Sequence, residues 1–128
     1  MARKYKILLI EDEPELVELF STALKRAGFE VEVIEDGSNA LDLVKSLKPD
    51  LVLLDLIIPK KDGYEVLREI KGDKSVSQTL VYIFSNLTQK DEIEKAMKLG
   101  AKDYLIKSDY TPSKLVDKIN KIFPSNDK

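Results

Sequence analysis

Apolar residues gather in five short runs along this chain, at 6–10 (KILLI), 31–34 (VEVI), 51–54 (LVLL), 80–84 (LVYIF) and 104–106 (YLI). Four of the five lack the alternation of a half-exposed strand, which fits strands covered on both faces of a parallel sheet. Parallel strands need crossover connections, and the segments between the runs have helical spacing. The first follows Pro14, carries Leu16, Leu19, Phe20, Ala23, Leu24 and Ala27, and stops at Gly28. The second carries Ala40, Leu41, Val44 and Leu47 and stops at Pro49. Val66, Leu67 and Ile70 mark a third, Ile93, Ala96 and Met97 a fourth closed by Gly100, and Leu115, Val116, Ile119 and Ile122 a fifth. The order is (βα)5. Right-handed crossovers wrap its helices over both faces, which predicts a doubly wound, three-layer α/β fold.

At 128 residues, one domain is expected. We take it as residues 1–123, with 124–128 as a flexible tail. Charge narrows the function. With 21 Lys+Arg against 23 Asp+Glu there is no basic surplus to neutralise a phosphate backbone, so direct nucleic-acid binding is not expected. Cys and His are both absent, which removes disulfides, thiolate and imidazole metal ligands, and imidazole general bases. The apolar run at 7–10 is too short for a signal-peptide core or a membrane span, so a cytoplasmic protein without membrane insertion is expected.

Chemistry then falls to carboxylates, hydroxyls and amines. Open α/β sheets bind ligands at the carboxyl ends of their strands. There the sequence places Glu11 and Asp12 after the first run, Asp55 after the third, Ser85 and Asn86 after the fourth and Lys107 after the fifth. Adjacent strands lie about 4.8 Å apart, so three carboxylates meet if the first and third strands are neighbours. They must shift their pKa values or bind a cation. A site of oxygen ligands suits Mg2+, with Mn2+ as an alternative. Asp55 is the natural nucleophile for an aspartyl phosphate, with Lys107 and Ser85 placed to stabilise charge on a transferred phosphoryl group.

The strings KILLIEDEPE (6–15), DLVLLDLIIPKKDG (50–63), VYIFSN (81–86) and GAKDYLIK (100–107) together resemble the receiver domain of two-component response regulators. The resemblance spans nearly the whole chain. It implies a flavodoxin-like sheet of strand order 2-1-3-4-5 and makes Asp55 the phosphoacceptor. It makes Glu11, Asp12, Asp55 and the Ile57 backbone carbonyl the metal ligands, Ser85 and Tyr104 the switch residues, and Lys107 the phosphate-pairing lysine. The phosphoryl donor would be a histidine kinase or a histidine phosphotransfer protein, in keeping with the absence of histidine here. Any enzymatic activity would be limited to slow self-phosphorylation from small donors and self-dephosphorylation. Output would pass to another protein through the face of the fourth helix, fifth strand and fifth helix, bordered by Lys95, Lys98, Lys102 and Lys114, in a monomer or a weak phosphorylation-dependent dimer.

Two positions depart from the family pattern. Asn86 stands where a small residue is usual, and would crowd the phosphate or donate to it. Ser108 stands where the lysine is commonly followed by a cis proline, so a trans bond is expected, with the loop at 108–111 displaced. Singly, each site residue has a structural explanation: Asp12 as a helix cap before Pro14, Asp55 as a loop cap, Ser85 as a local hydroxyl, Tyr104 as packing. Asp36-Gly37 and Asp62-Gly63 read as turns, and Lys60 and Lys61 as a solvated loop. The rival functions are a pseudo-receiver that docks without phosphorylation, an Asp-nucleophile phosphatase, and a flavin protein. Against the phosphatase, Ile57 replaces the acid expected two residues after the nucleophile; against the flavin protein, no Ser/Thr/Gly-rich loop follows the first strand.

Overall fold

A computed structural model describes residues 4–123. The proposed tail at 124–128 lies outside the described residues. The elements alternate as expected: β1 Lys6–Ile10, α1 Pro14–Arg26, β2 Glu30–Ile34, α2 Ala40–Leu47, β3 Leu51–Leu54, α3 Gly63–Gly72, β4 Leu80–Ser85, α4 Lys90–Lys98, β5 Asp103–Ile106 and α5 Pro112–Ile122. A single 3-10 turn, Lys107–Asp109, lies between β5 and α5. All neighbouring strands pair in parallel, in the order β2-β1-β3-β4-β5.

The period of two along each strand sorts side chains onto two faces. Leu8, Ile10, Val52, Leu54, Val81 and Ile83 pack with Val44 of α2, Val66, Leu67 and Ile70 of α3, and Ala96 of α4. Ile7, Leu9, Leu51, Leu53, Tyr82, Phe84 and Leu105 pack with Phe20 and Leu24 of α1 and Leu115 and Ile119 of α5. Because both faces are covered, β1 and β3 are almost wholly apolar. β2, at the sheet edge, is only partly covered, which explains why the alternating run VEVI occurs there.

Ends of elements follow local chemistry. Pro14 and Pro112 open α1 and α5, where a missing N–H is harmless. Thr111 caps α5 by accepting from the Lys114 N–H. α2 ends with Lys48 in the left-handed region, since the residue before Pro49 is disfavoured in the helical one. Tyr64 on α3 donates its hydroxyl to the Glu92 carboxylate of α4, and Lys95 lies 4.2 Å over its ring. Thus one of the lysines expected to border the output face is held by an α3–α4 contact.

The Asp62-Gly63 pair is not a turn. Asp62 is the N-cap of α3, accepting from the Glu65 N–H at 3.0 Å, and Gly63 is the first helical residue. A Cβ on Gly63 would collide with the Asp55 carbonyl oxygen and lie 2.6 Å from Leu56 Cα, so the absence of a side chain lets α3 start against the end of β3. Gly63→Ala is therefore expected to destabilise the chain by about 1–3 kcal/mol, the usual range for overpacking. A lower urea midpoint at unchanged slope would register this, whereas an unaltered midpoint would mean that the contact relaxes freely.

Candidate functional site

The parallel register brings the strand ends to one edge. Ile10 pairs with Leu54 and Leu54 with Ile83, so Glu11 and Asp55 emerge side by side; Ser85 pairs with Ile106, one residue before Lys107. Backbone bonds extend the pairing past the strands, with the Asp55 N–H on the Ile10 carbonyl and the Glu11 N–H on the Ile34 carbonyl. Above this edge is a cavity of about 280 Å3 lined by Asp12, Asp55, Ile57, Ser85, Asn86 and Lys107. Glu11 lies buried behind it.

Glu11, Asp12 and Asp55 each offer a carboxylate oxygen within 4.8 Å of the others. Lys107 joins two of them, donating from Nζ to Glu11 Oε1 at 2.6 Å and to Asp55 Oδ2 at 2.7 Å. All three partners are nearly withdrawn from solvent, at 8 % exposure for Lys107, 1 % for Glu11 and 6 % for Asp55. With every group ionised, three carboxylates against one ammonium leave two negative charges in excess. Two carboxylates at that spacing repel by about 3–4 kcal/mol at an effective dielectric near 20. Burial raises the Glu11 pKa, opposed by its bonds to Lys107 and the Glu13 N–H. Burial also works to lower the Lys107 pKa, but Asp55 and Glu11 outweigh it and the ammonium titrates above its ordinary range.

Asp12 does not serve as the helix cap. Glu13 holds the N-cap position of α1, and no side chain caps it, which leaves the Asp12 carboxylate at the cavity. Asp55 does support its own loop, since Oδ1 accepts from the Ile57 N–H at 3.3 Å, but its other oxygen is committed to Lys107. Lys61 is paired elsewhere, with Glu69 at 2.7 Å.

Ser85, fully buried at the end of β4, accepts from the Leu87 N–H at 3.3 Å. Tyr104, half-buried, donates its hydroxyl to the Leu87 carbonyl at 2.6 Å, and burial is the main reason its pKa is raised. One peptide segment therefore links both residues. Between them Asn86 turns outward, and its Oδ1 accepts from the Ser108 N–H at 2.9 Å. The expected trans bond after Lys107 agrees with the absence of cis peptides among the described residues. The roles of Leu87 and Gly63 rest on backbone, which the sequence shows only indirectly; an Asp-Gly step after a buried strand was the available signal for Gly63.

A family model described as the response regulator receiver domain matches residues 7–120. The chain belongs to this family. It is 35% identical over 116 residues to the DNA-binding response regulator MtrA of Mycolicibacterium smegmatis, covering 91% of this chain and 49% of MtrA. The chain spans about half the length of the curated relatives it matches. Among solved structures, the BeF3-activated N-terminal receiver domain of Klebsiella pneumoniae RstA superposes with a TM-score of 0.82 at 30% identity, over 91% of this chain and 96% of that one. The phosphorylated cyanobacterial phytochrome response regulator RcpA gives 0.78 at 33% identity, over 94% and 91%. The flavodoxin-like receiver fold with order 2-1-3-4-5 is thus established, and the acidic cluster fits the receiver metal site. Among the described residues no helix is long and apolar enough to cross a membrane.

Removing the one ammonium among these acids leaves them unopposed. Lys107→Met is expected to lower stability by about 2–4 kcal/mol in chelator, toward the low end of what breaking a buried pair costs because water reaches the cavity. Urea unfolding checks this; an unchanged midpoint would mean that the acids are already protonated or hydrated.

Proposed function

We propose that this receiver domain is a phosphoacceptor switch, taking a phosphoryl group on Asp55 from a phosphohistidine of a histidine kinase or histidine phosphotransfer protein. The observation that carries this reading is the buried ion pair of Lys107 with Asp55 within a cluster of three acids. A carboxylate oxygen of Asp55 attacks phosphorus as the P–N bond of the donor breaks, and the electron pair of that bond stays on the departing imidazole nitrogen. Lys107, already 2.7 Å from Asp55, remains beside the acceptor and can donate to a phosphoryl oxygen as charge develops there. Ser85 lines the same cavity, and its hydroxyl, which hydrogen-bonds Tyr104, would be donated to a phosphoryl oxygen instead.

Glu11, Asp12 and Asp55 would hold Mg2+, or Mn2+, with the Ile57 backbone carbonyl as a further ligand. The excess of two negative charges is what fits them to a divalent cation, and their all-oxygen chemistry favours a hard one. When bound, the cation would offset charge shared by the acids and the phosphoryl oxygens. Asp12, at the cavity, and Glu11, bonded to Lys107 and to the Glu13 N–H, fix the two sides of that site.

Switching follows from the shared peptide segment. If Ser85 turns toward a phosphoryl group, its bond to the Leu87 N–H is weakened, and the Leu87 carbonyl is the partner of Tyr104. Because Tyr104 is already half-buried, phosphorylation would bias the population of its positions rather than create a new one. The surface of α4, β5 and α5 would read that bias, and its reader is a protein partner. MtrA is a DNA-binding response regulator, and this chain corresponds to 49% of it. A cytoplasmic setting agrees with a phosphohistidine donor.

In the presence of Mg2+, acetyl phosphate should add one phosphoryl group to the wild type by intact mass, and none to Asp55→Asn or to wild type in chelator. An adduct that survives Asp55→Asn would overturn the assignment. Tyr104→Phe should accept the group normally yet shrink the phosphorylation-dependent change in amide exchange of α4; a full-sized change would separate Tyr104 from the switch.

A further inference from the structure

Asn86 and Ser108 are in contact, and their chemistry makes them one unit. A side-chain amide has an acceptor end and a donor end, and only the oxygen can face an N–H. The Ser108 N–H therefore determines which way round the Asn86 amide sits, with Oδ1 toward the turn after β5. The NH2 group is turned off that contact and has no protein partner among the described residues. Asn86 is one of the residues that line the cavity shared by Asp55, Ser85 and Lys107. Proline at 108 would have no N–H to give, and a small apolar residue at 86 would have no oxygen to receive one, so the two departures from the family pattern match each other.

We propose that Asn86 contacts the phosphoryl group directly, through an Nδ2–H donor aimed by Ser108, and so helps decide how readily this chain accepts phosphate. The inference rests on Asp55 being the acceptor. A phosphoryl group in transfer spreads negative charge over three oxygens, and Lys107 and Ser85 account for two donors. Nδ2 supplies another at the open side of the cavity. The side chain is exposed and tethered at its oxygen by the Ser108 N–H.

The test uses the full chain with acetyl phosphate and Mg2+, reading the rate of adduct formation by intact mass for wild type, Asn86→Ala, Ser108→Pro and the double variant. Asn86→Ala should be slower by roughly tenfold, the worth of a hydrogen bond to a charged group. Ser108→Pro should slow the wild-type background and add little in the Asn86→Ala background. Mg2+ affinity and thermal midpoint should stay unchanged in Asn86→Ala, which a general distortion of the site would not allow. A rate in Asn86→Ala equal to or above that of wild type would mean that the side chain only obstructs. Additive losses would likewise overturn the pairing. Failure of the wild type itself to form an adduct is a different result, and would count against Asp55 as acceptor instead.

Discussion

Negative charge, buried in excess and held by one lysine, is the constraint on which this molecule depends. Glu11 and Asp55 are both withdrawn from water, and Lys107 lies within 2.7 Å of each. Such an arrangement is poor as a source of stability, since a buried pair returns little beyond its desolvation cost. It makes sense as a site for adding a cation and an anion together. The fold supplies it through register: five parallel strands end at one edge, and residues distant in sequence meet there without any loop having to reach.

A charge change at Asp55 has two short routes outward. Ser85, Asn86 and Leu87 are consecutive, yet they engage different partners: the cavity, the turn after β5, and Tyr104. Moving the first tugs on the other two. The rigid part of the molecule is the pair of apolar layers beneath, and Gly63 keeps α3 tight against β3 so that Asp55 has a fixed base. On the proposed function, a local electrostatic event would be directed into two loops rather than dissipated in the core.

Much of this was legible in the sequence, for definite reasons. Runs such as LVLL at 51–54 and ILLI at 7–10 admit little except a sheet covered on both sides, and their polar successors mark its binding edge. The strand order, and the switch role proposed for Tyr104, came only through family resemblance, because nothing in the apolar pattern says which strands are neighbours. Asp62-Gly63 was misread as a turn because a glycine required by close packing looks, in sequence, like one required by backbone angle. The Asn86–Ser108 contact was invisible because it joins a side chain to a backbone N–H across two loops. Each residue alone looked like a departure from the family pattern; together they form a hydrogen bond.

The central claim is that charge at Asp55 is transmitted through residues 85–87 to both neighbouring loops. The direct measurement is backbone amide chemical shifts before and after adding Mg2+ and beryllofluoride, a phosphoryl mimic. The account predicts that the amides of Leu87, Tyr104 and Ser108 shift along with those beside Asp55. Shifts confined to residues beside Glu11, Asp12, Asp55 and Lys107, with Leu87, Tyr104 and Ser108 unmoved, would contradict it.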